Sequence, residues 1–335
     1  MGLKLTIEKF DQQLETLRQE YKVYAPVKIK GKGTFADTDA VRYGEIKSIK
    51  EIEFDVKSSF SPKEIVIPIT QTLFYFTEDQ CIEPKTFEKK ILIFLRSCDI
   101  HAMKRLDEVY LRNGNEDYYY KTLKDKVKFV LMGCSESFEN CFCVSMGSST
   151  TKDYDMYTKI KGDEVFIDCK SEELMNYFNI DKINVHDVEP EFVLSNEIKV
   201  TIPANLDQRI FKSKMWDEYS SRCIACGRCN FVCGTCSCFT MQDVFSKDNK
   251  NVGERRRIWS SCHVDGFSDM AGGHDFRKDK KDRMRFKIMH KVYDFKKRAG
   301  YHMCIGCGRC DDICPEYISF ASCVNKLNEA MNEVE

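Results

Sequence analysis

The chain of 335 residues has no long apolar run: its longest unbroken stretches, such as Ile91 to Leu95 (ILIFL), fall far short of a bilayer span. The amino terminus MGLKLTIEKF lacks the basic region followed by an apolar core that marks an export signal. A cytoplasmic chain with no membrane association is therefore expected. Gly2 and Thr6 satisfy a short myristoylation pattern, which often matches by chance and has no second anchor signal beside it. Neither sign of charge is in excess. With 52 Lys plus Arg against 53 Asp plus Glu, the net charge is -1, which argues against a nucleic-acid footprint and an acidic disordered tail. There is no Gly-x-Gly-x-x-Gly, no P-loop and no nucleophile motif, so independent catalysis is not expected.

What the chain has is cysteine, 18 in all, at spacings that suit metal binding rather than the disulfides of a small secreted protein. Two near-copies of one run dominate: CIACGRCNFVC at 223 to 233 and CIGCGRCDDIC at 304 to 314. Each reads Cys-x2-Cys-x2-Cys-x3-Cys, in which three thiolates wrap one [4Fe-4S] cluster and the fourth serves the other cluster. On that rule Cys223, Cys226, Cys229 and Cys314 hold the first cluster, and Cys304, Cys307, Cys310 and Cys233 hold the second. Gly227 and Gly308 occupy matching places where backbone must approach inorganic sulfide closely, although ordinary turn glycines would look the same. Pro315 follows the last ligand, whereas Gly234 stands in the equivalent position of the first copy. Zinc is the competing reading. It usually joins two separated Cys-x2-Cys pairs rather than four cysteines within eleven residues.

Along the chain, Ile7, Phe10, Leu14, Leu17 and Tyr21 recur at helical steps. Ile65 to Ile69 and Leu73 to Phe76 read as buried extended segments or a short helix. KKILIFLRSCD predicts a buried strand ending at Cys98, IHAMKRLDEVYLRN a helix, and KVKFVLMGCS a second strand ending at Cys134. Strand, helix, strand implies a parallel α/β unit that gathers ligands beyond the strands' carboxyl ends, where both cysteines fall. A hairpin about Gly162, a helix over 172 to 178 and another over 206 to 219 complete the outline. The expected class is mixed α+β and α/β. An α/β domain over 1–204 precedes a mostly helical, ferredoxin-like two-cluster domain over 205–335 with a seventy-residue insertion between its motifs.

Cys98, Cys134, Cys141 and Cys143 sit at loop positions in polar surroundings, a candidate third cluster site, against the alternatives of a zinc site or cysteines packed as small hydrophobes. Asp99 and His101 stand close enough to support such a site or to cap the following helix. The insertion adds Cys236, Cys238 and Cys262, one short of a cubane set. Its basic stretch from 276 to 300 reads as a solvated helix with one buried face, or as a docking face for an acidic electron-transfer partner. Arg228 and Arg309 occupy equivalent places, where positive charge would favour a reduced cluster unless surface salt bridges consume it.

The two cluster runs, with LRSCDIHAMKRLDEVY, CFCVSMGSS and RRRIWSSCHVDGFSDMAGGHDFRKDKKDR, resemble the family of iron–sulfur electron-transfer subunits of anaerobic sulfite reductase. A wider group also holds the beta subunits of cytoplasmic sulfhydrogenases, and the likeness runs from about Ile65 to Ser322. This chain has Ser97 and Gly234 where relatives more often carry proline, and neither departure removes a ligand. The resemblance implies an iron–sulfur electron-transfer subunit in a hetero-oligomer. It would relay electrons from a flavin subunit that oxidises NADH to a sirohaem subunit that reduces sulfite to sulfide. The alternative is the same relay in a sulfhydrogenase-type hydrogenase, between a nickel–iron subunit and a flavin subunit.

Overall fold

Ile91 to Leu95 is apolar at every position because both of its faces are buried. Leu92 and Phe94 join a core on one side of a sheet, and Ile91, Ile93 and Leu95 join a second core on the other. The computed structural model describes residues 2–33, 38–85, 88–178, 183–185 and 188–334. From the amino terminus the chain runs β1 (Gly2–Thr6), α1 (Ile7–Leu17), β2 (Tyr21–Ile29), β3 (Ala40–Glu45), α2 (Lys63–Val66), β4 (Thr70–Phe76) and β5 (Cys81–Ile82). It continues β6 (Lys90–Leu95), α3 (Ser97–Tyr110), α4 (Tyr118–Lys124), β7 (Val127–Met132), β8 (Met156–Lys161), β9 (Glu164–Cys169), α5 (Glu172–Phe178) and β10 (Ile183–Val185). Eight of these strands form one sheet in the order β10-β1-β9-β8-β7-β6-β2-β3. Its centre, β2 through β8, is parallel, and both flanks are antiparallel.

Helix α1 begins where the Thr6 hydroxyl accepts the Lys9 N–H, and its buried stripe is Ile7, Phe10, Leu14 and Leu17. That stripe and α5 cover one face of the sheet, with the Phe10 and Phe178 rings stacked 5.0 Å apart. On the other face α3 and α4 supply Met103, Leu106, Tyr110 and Tyr120. Full burial of side chains of this size is worth about 1.5–3 kcal/mol each, so the sheet is a rigid platform for the loops at its ends. The expected strand over KKILIFLRSCD stops at Leu95, and Cys98 lies in the first turn of α3. Cys134 likewise stands two residues beyond β7. Both cysteines therefore occupy the carboxyl-end crevice rather than the strands themselves.

The remainder runs α6 (Glu218–Arg222), α7 (Arg228–Phe231), β11 (Phe239–Phe245), β12 (Gly253–Trp259), β13 (Asp269–Met270) and β14 (His274–Asp275). Then come α8 (Lys280–Met289), a π-helical turn over His290–Asp294, α9 (Phe295–Ala299), α10 (Arg309–Asp312) and α11 (Phe320–Val334). The helix expected over 206 to 219 is instead two 3-10 turns, Gln208–Lys212 and Lys214–Trp216, followed by α6. The side chains of Asp207 and Ser213 explain this: each accepts the N–H two residues on and ends one turn to start another. The insertion is not independent of the amino-terminal half. Strands β11 and β12 extend a four-stranded sheet, β11-β12-β4-β5, so residues on both sides of 205 share one sheet. Buried Arg257 ties them further, 2.5 Å from Asp117 and 2.8 Å from Gln71.

Candidate iron–sulfur sites

The two cysteine runs fold as copies. Ala225 and Gly306 both take left-handed backbone (φ 58° and 65°), and each donates its N–H to the first cysteine sulfur of its run at 3.4 Å. Gly227 and Gly308 (φ 73° and 71°) then open the one-turn helices α7 and α10. Only the second copy needs glycine at both places. A Cβ at Gly306 would lie 2.6 Å from the Phe142 backbone, and one at Gly308 would lie 2.3 Å from the Asn140 carbonyl oxygen. The loop carrying Cys141 and Cys143 is thus pressed against the second run. Gly234, which replaces the expected proline, faces Ala102 of α3, where a Cβ would come within 3.0 Å of the methyl group.

Three cavities result. Cys223, Cys226, Cys229 and Cys314 line the first, with His263, Met284 and Lys287. Cys233, Cys304, Cys307 and Cys310 line the second, with Lys287 and Lys291. Cys98, Cys134, Cys141 and Cys143 line the third, together with Arg96, Asn196 and Arg309. The sequence-derived quartets are therefore each gathered around one space. The cavities are contiguous: Cys229 and Cys310 border the first and second, and Cys307 borders the second and third.

The donor set suits thiolate-bound iron–sulfur clusters. Sulfur receives hydrogen bonds from Ile318 N–H (Cys314, 3.4 Å), Lys291 Nζ (Cys233, 3.4 Å), the Arg96 guanidinium (Cys134, 3.3 Å) and Asn196 Nδ2 (Cys143, 3.7 Å). Among the described residues no set of three or more His, Cys, Asp or Glu side chains closes to the compact arrangement of one bound ion. The charges agree. Lys287 and Lys291 are buried, and among the described ion pairs neither has a carboxylate partner. Burial alone would lower the pKa of both ammonium groups. Nearby thiolates outweigh it and hold them high: Cys229 and Cys310 for Lys287, Cys233 and Cys236 for Lys291. Cys233 is correspondingly held well below the usual thiol range by its hydrogen bond with Cys236, against burial, with help from Lys291.

In the third cavity burial dominates. It raises the thiols of Cys98 and Cys143 and pushes Cys141 up to about 12, so a metal bound there would have to displace protons. Arg309 contributes no free positive charge: it is buried and makes bidentate hydrogen bonds to Asp99 at 2.7 and 2.8 Å, joining α10 to α3. Asp99 thus orients the site through Arg309, while His101 is engaged by the Thr150 carbonyl and Arg105. Arg228, at the equivalent place in the first run, is exposed.

Sequence reasoning missed Lys287, Lys291 and His263. The basic stretch reads as a helix with one solvated and one buried face, and Lys287 and Lys291 lie on its buried face rather than the solvated one. His263 is 1% exposed, its Nε2 has no hydrogen-bond partner, and burial pushes its pKa down to about 3, so it faces the first cavity as a neutral ring. No helix among the described residues is long and apolar enough to cross a membrane.

Residues 222–318 match the 4Fe-4S dicluster domain family. The chain is similar to sulfhydrogenase 2 subunit beta of Pyrococcus furiosus, 29% identical over 350 residues, covering 98% of this chain and 99% of that one. No solved structure matches significantly.

Proposed function

We propose that this chain is the electron-transfer subunit of a sulfhydrogenase-type complex, relaying electrons between a flavin subunit and a nickel–iron subunit through three [4Fe-4S] clusters in series. The observation that carries this reading is the contiguity of three cysteine-lined cavities, joined through Cys229, Cys310 and Cys307. When bound, such clusters supply one-electron acceptance and release, which the side chains themselves cannot do. The chain's residues do the rest. Twelve cysteines anchor, Lys287 and Lys291 balance charge, and Phe142 and Phe320 of the second cavity exclude water. The sulfhydrogenase partner is preferred to sulfite reductase because the full-length similarity is to a sulfhydrogenase beta subunit.

Anaerobic co-purification from the native organism tests the partner. Nickel in the complex and hydrogen-dependent reduction of a viologen dye are expected. Sirohaem and sulfite-dependent dye oxidation would instead restore the sulfite reductase reading. A colourless chain holding zinc and no sulfide would overturn the relay altogether.

A further inference from the structure

A cleft of about 730 Å³ opens beside the third cavity, with which it shares Arg96, Cys134 and Phe138. It lies where the sheet is uneven. Strand β7 stops at Met132, opposite Thr158, whereas β8 runs on to Lys161. Among the described strands only β9 pairs with Lys159 and Ile160 of that overhang, so their β7 side is a free strand edge on the cleft wall. Crevices beyond the carboxyl ends of parallel strands are where such sheets take their ligands.

The lining is acidic once its internal pairs are set aside. Arg96 is 4% exposed, and its guanidinium is engaged by the walls: it donates to the carbonyl oxygens of Gly133 (3.1 Å), Val56 (3.4 Å) and Phe54 and to the Cys134 sulfur (3.3 Å). Lys159 is paired with Glu191. Glu53, Asp55 and Glu136 remain, and none of them has a partner among the described ion pairs. A separate feature is a buried hydroxyl. Thr158, on the same wall, is 1% exposed, and its Oγ1 has no hydrogen-bond partner among the described residues. Such a group costs about 1–3 kcal/mol unless a ligand satisfies it. A free strand edge suits a polypeptide better than a small molecule, and three unpaired carboxylates suit lysine or arginine on it and disfavour phosphate-bearing ligands.

We propose that an extended, basic segment of a partner subunit enters this cleft, adds to the free edge of β8 and sets its cationic side chains against Glu53, Asp55 and Glu136. The docked segment lies against Arg96, whose guanidinium touches the Cys134 sulfur, so the partner meets this chain at the third-cavity end. The inference rests on the relay reading for what that contact serves, whereas the docking itself stands on the cleft.

Fluorescence anisotropy on the anaerobically purified full-length chain tests it, with iron counted in the same samples. The probe is a labelled octapeptide of alternating lysine and valine. It should bind the parent, and a Glu53→Lys, Asp55→Lys variant should bind it about tenfold more weakly. A Glu329→Lys, Glu333→Lys variant, with the same charge change on exposed positions of α11, should bind it as the parent does. A lysine–proline octapeptide of equal charge, which lacks a backbone N–H at every second residue, should bind the parent several-fold more weakly. No binding to the parent, equal loss in both variants, or equal binding of the two peptides would overturn the proposal. So would a small molecule released from the denatured parent and absent from the Glu53→Lys, Asp55→Lys variant. A parent that binds the valine peptide but holds no iron would remove the relay reading and leave the docking site standing. Iron without binding would do the reverse. If the cleft variant folds poorly, the two peptides compared on the parent decide the matter alone.

Discussion

Replacing Lys291 with methionine removes a buried positive charge while keeping most of the side-chain volume. Its Nζ lies 3.4 Å from the Cys233 sulfur and 2.8 Å from the Thr235 hydroxyl, with no carboxylate partner among the described ion pairs. Adding one metal–thiolate bond of about 2.3 Å puts the ammonium roughly 6 Å from the nearest iron of a cluster at Cys233. At an effective dielectric of about 20, a unit charge at that distance contributes about 3 kcal/mol to the difference between two redox states one electron apart. Since 1.4 kcal/mol corresponds to about 59 mV for one electron, the shift approaches 120 mV before solvent relaxation, and about 100 mV is a fair expectation. The variant's second cluster should become harder to reduce by that amount. An EPR-monitored redox titration of the anaerobic protein measures it, with Lys291→Arg as the charge-preserving control and iron content confirming that the cluster is retained. A shift below about 20 mV, or one toward higher potential, would show that Lys291 does not set the electrostatics of this site.

Three further outcomes are expected. In His263→Leu the first cluster's potential should move by tens of millivolts while the others stay put, because the polar ring lining that cavity is replaced by an apolar side chain; the same titration reads this. Asp99→Asn breaks the buried bidentate pair with Arg309 and leaves a guanidinium uncompensated, which should cost about 3–5 kcal/mol and lower the thermal midpoint seen by circular dichroism. Gly308→Ala forces a Cβ to within 2.3 Å of the Asn140 carbonyl oxygen at a left-handed φ, so iron loading after reconstitution should drop. Ala225→Gly, at a position that already tolerates a side chain, should load normally.

Local patterns carried much of the architecture. Phe10, Leu14 and Leu17 marked α1, ILIFL marked a strand buried on both faces, and Gly162 marked the β8–β9 turn with its φ of 61°. Each is legible because it depends on neighbours within a few residues. That each cysteine quartet lines one cavity was foreshadowed for a different reason: the repeated Cys-x2-Cys-x2-Cys-x3-Cys spacing and the Cys-x-Cys pair are patterns that packing alone does not require. Sheet order and the joining of β12 to β4 were not legible, since they rest on pairings between segments distant in sequence, more than 170 residues apart for β12 and β4, that leave only generic β-pattern behind. The buried lysines of the basic helix were hidden for the same reason. Nothing near Lys287 and Lys291 in sequence announces that Cys229, Cys233 and Cys310 will stand opposite them once the chain folds. Asp207 and Ser213 show the converse, a local competition by side-chain caps that helical periodicity over 206 to 219 concealed.

The relay's extension past the two ferredoxin-type sites, into the loop of Cys141 and Cys143, is the central claim. Counting iron and acid-labile sulfide per chain in the anaerobically purified protein and in a Cys141→Ser, Cys143→Ser variant tests it most directly. A loss of about four iron and four sulfide, with the EPR of the other clusters unchanged, is the predicted result. Equal counts in the two proteins would leave Cys98, Cys134, Cys141 and Cys143 as packed thiols and contradict the claim.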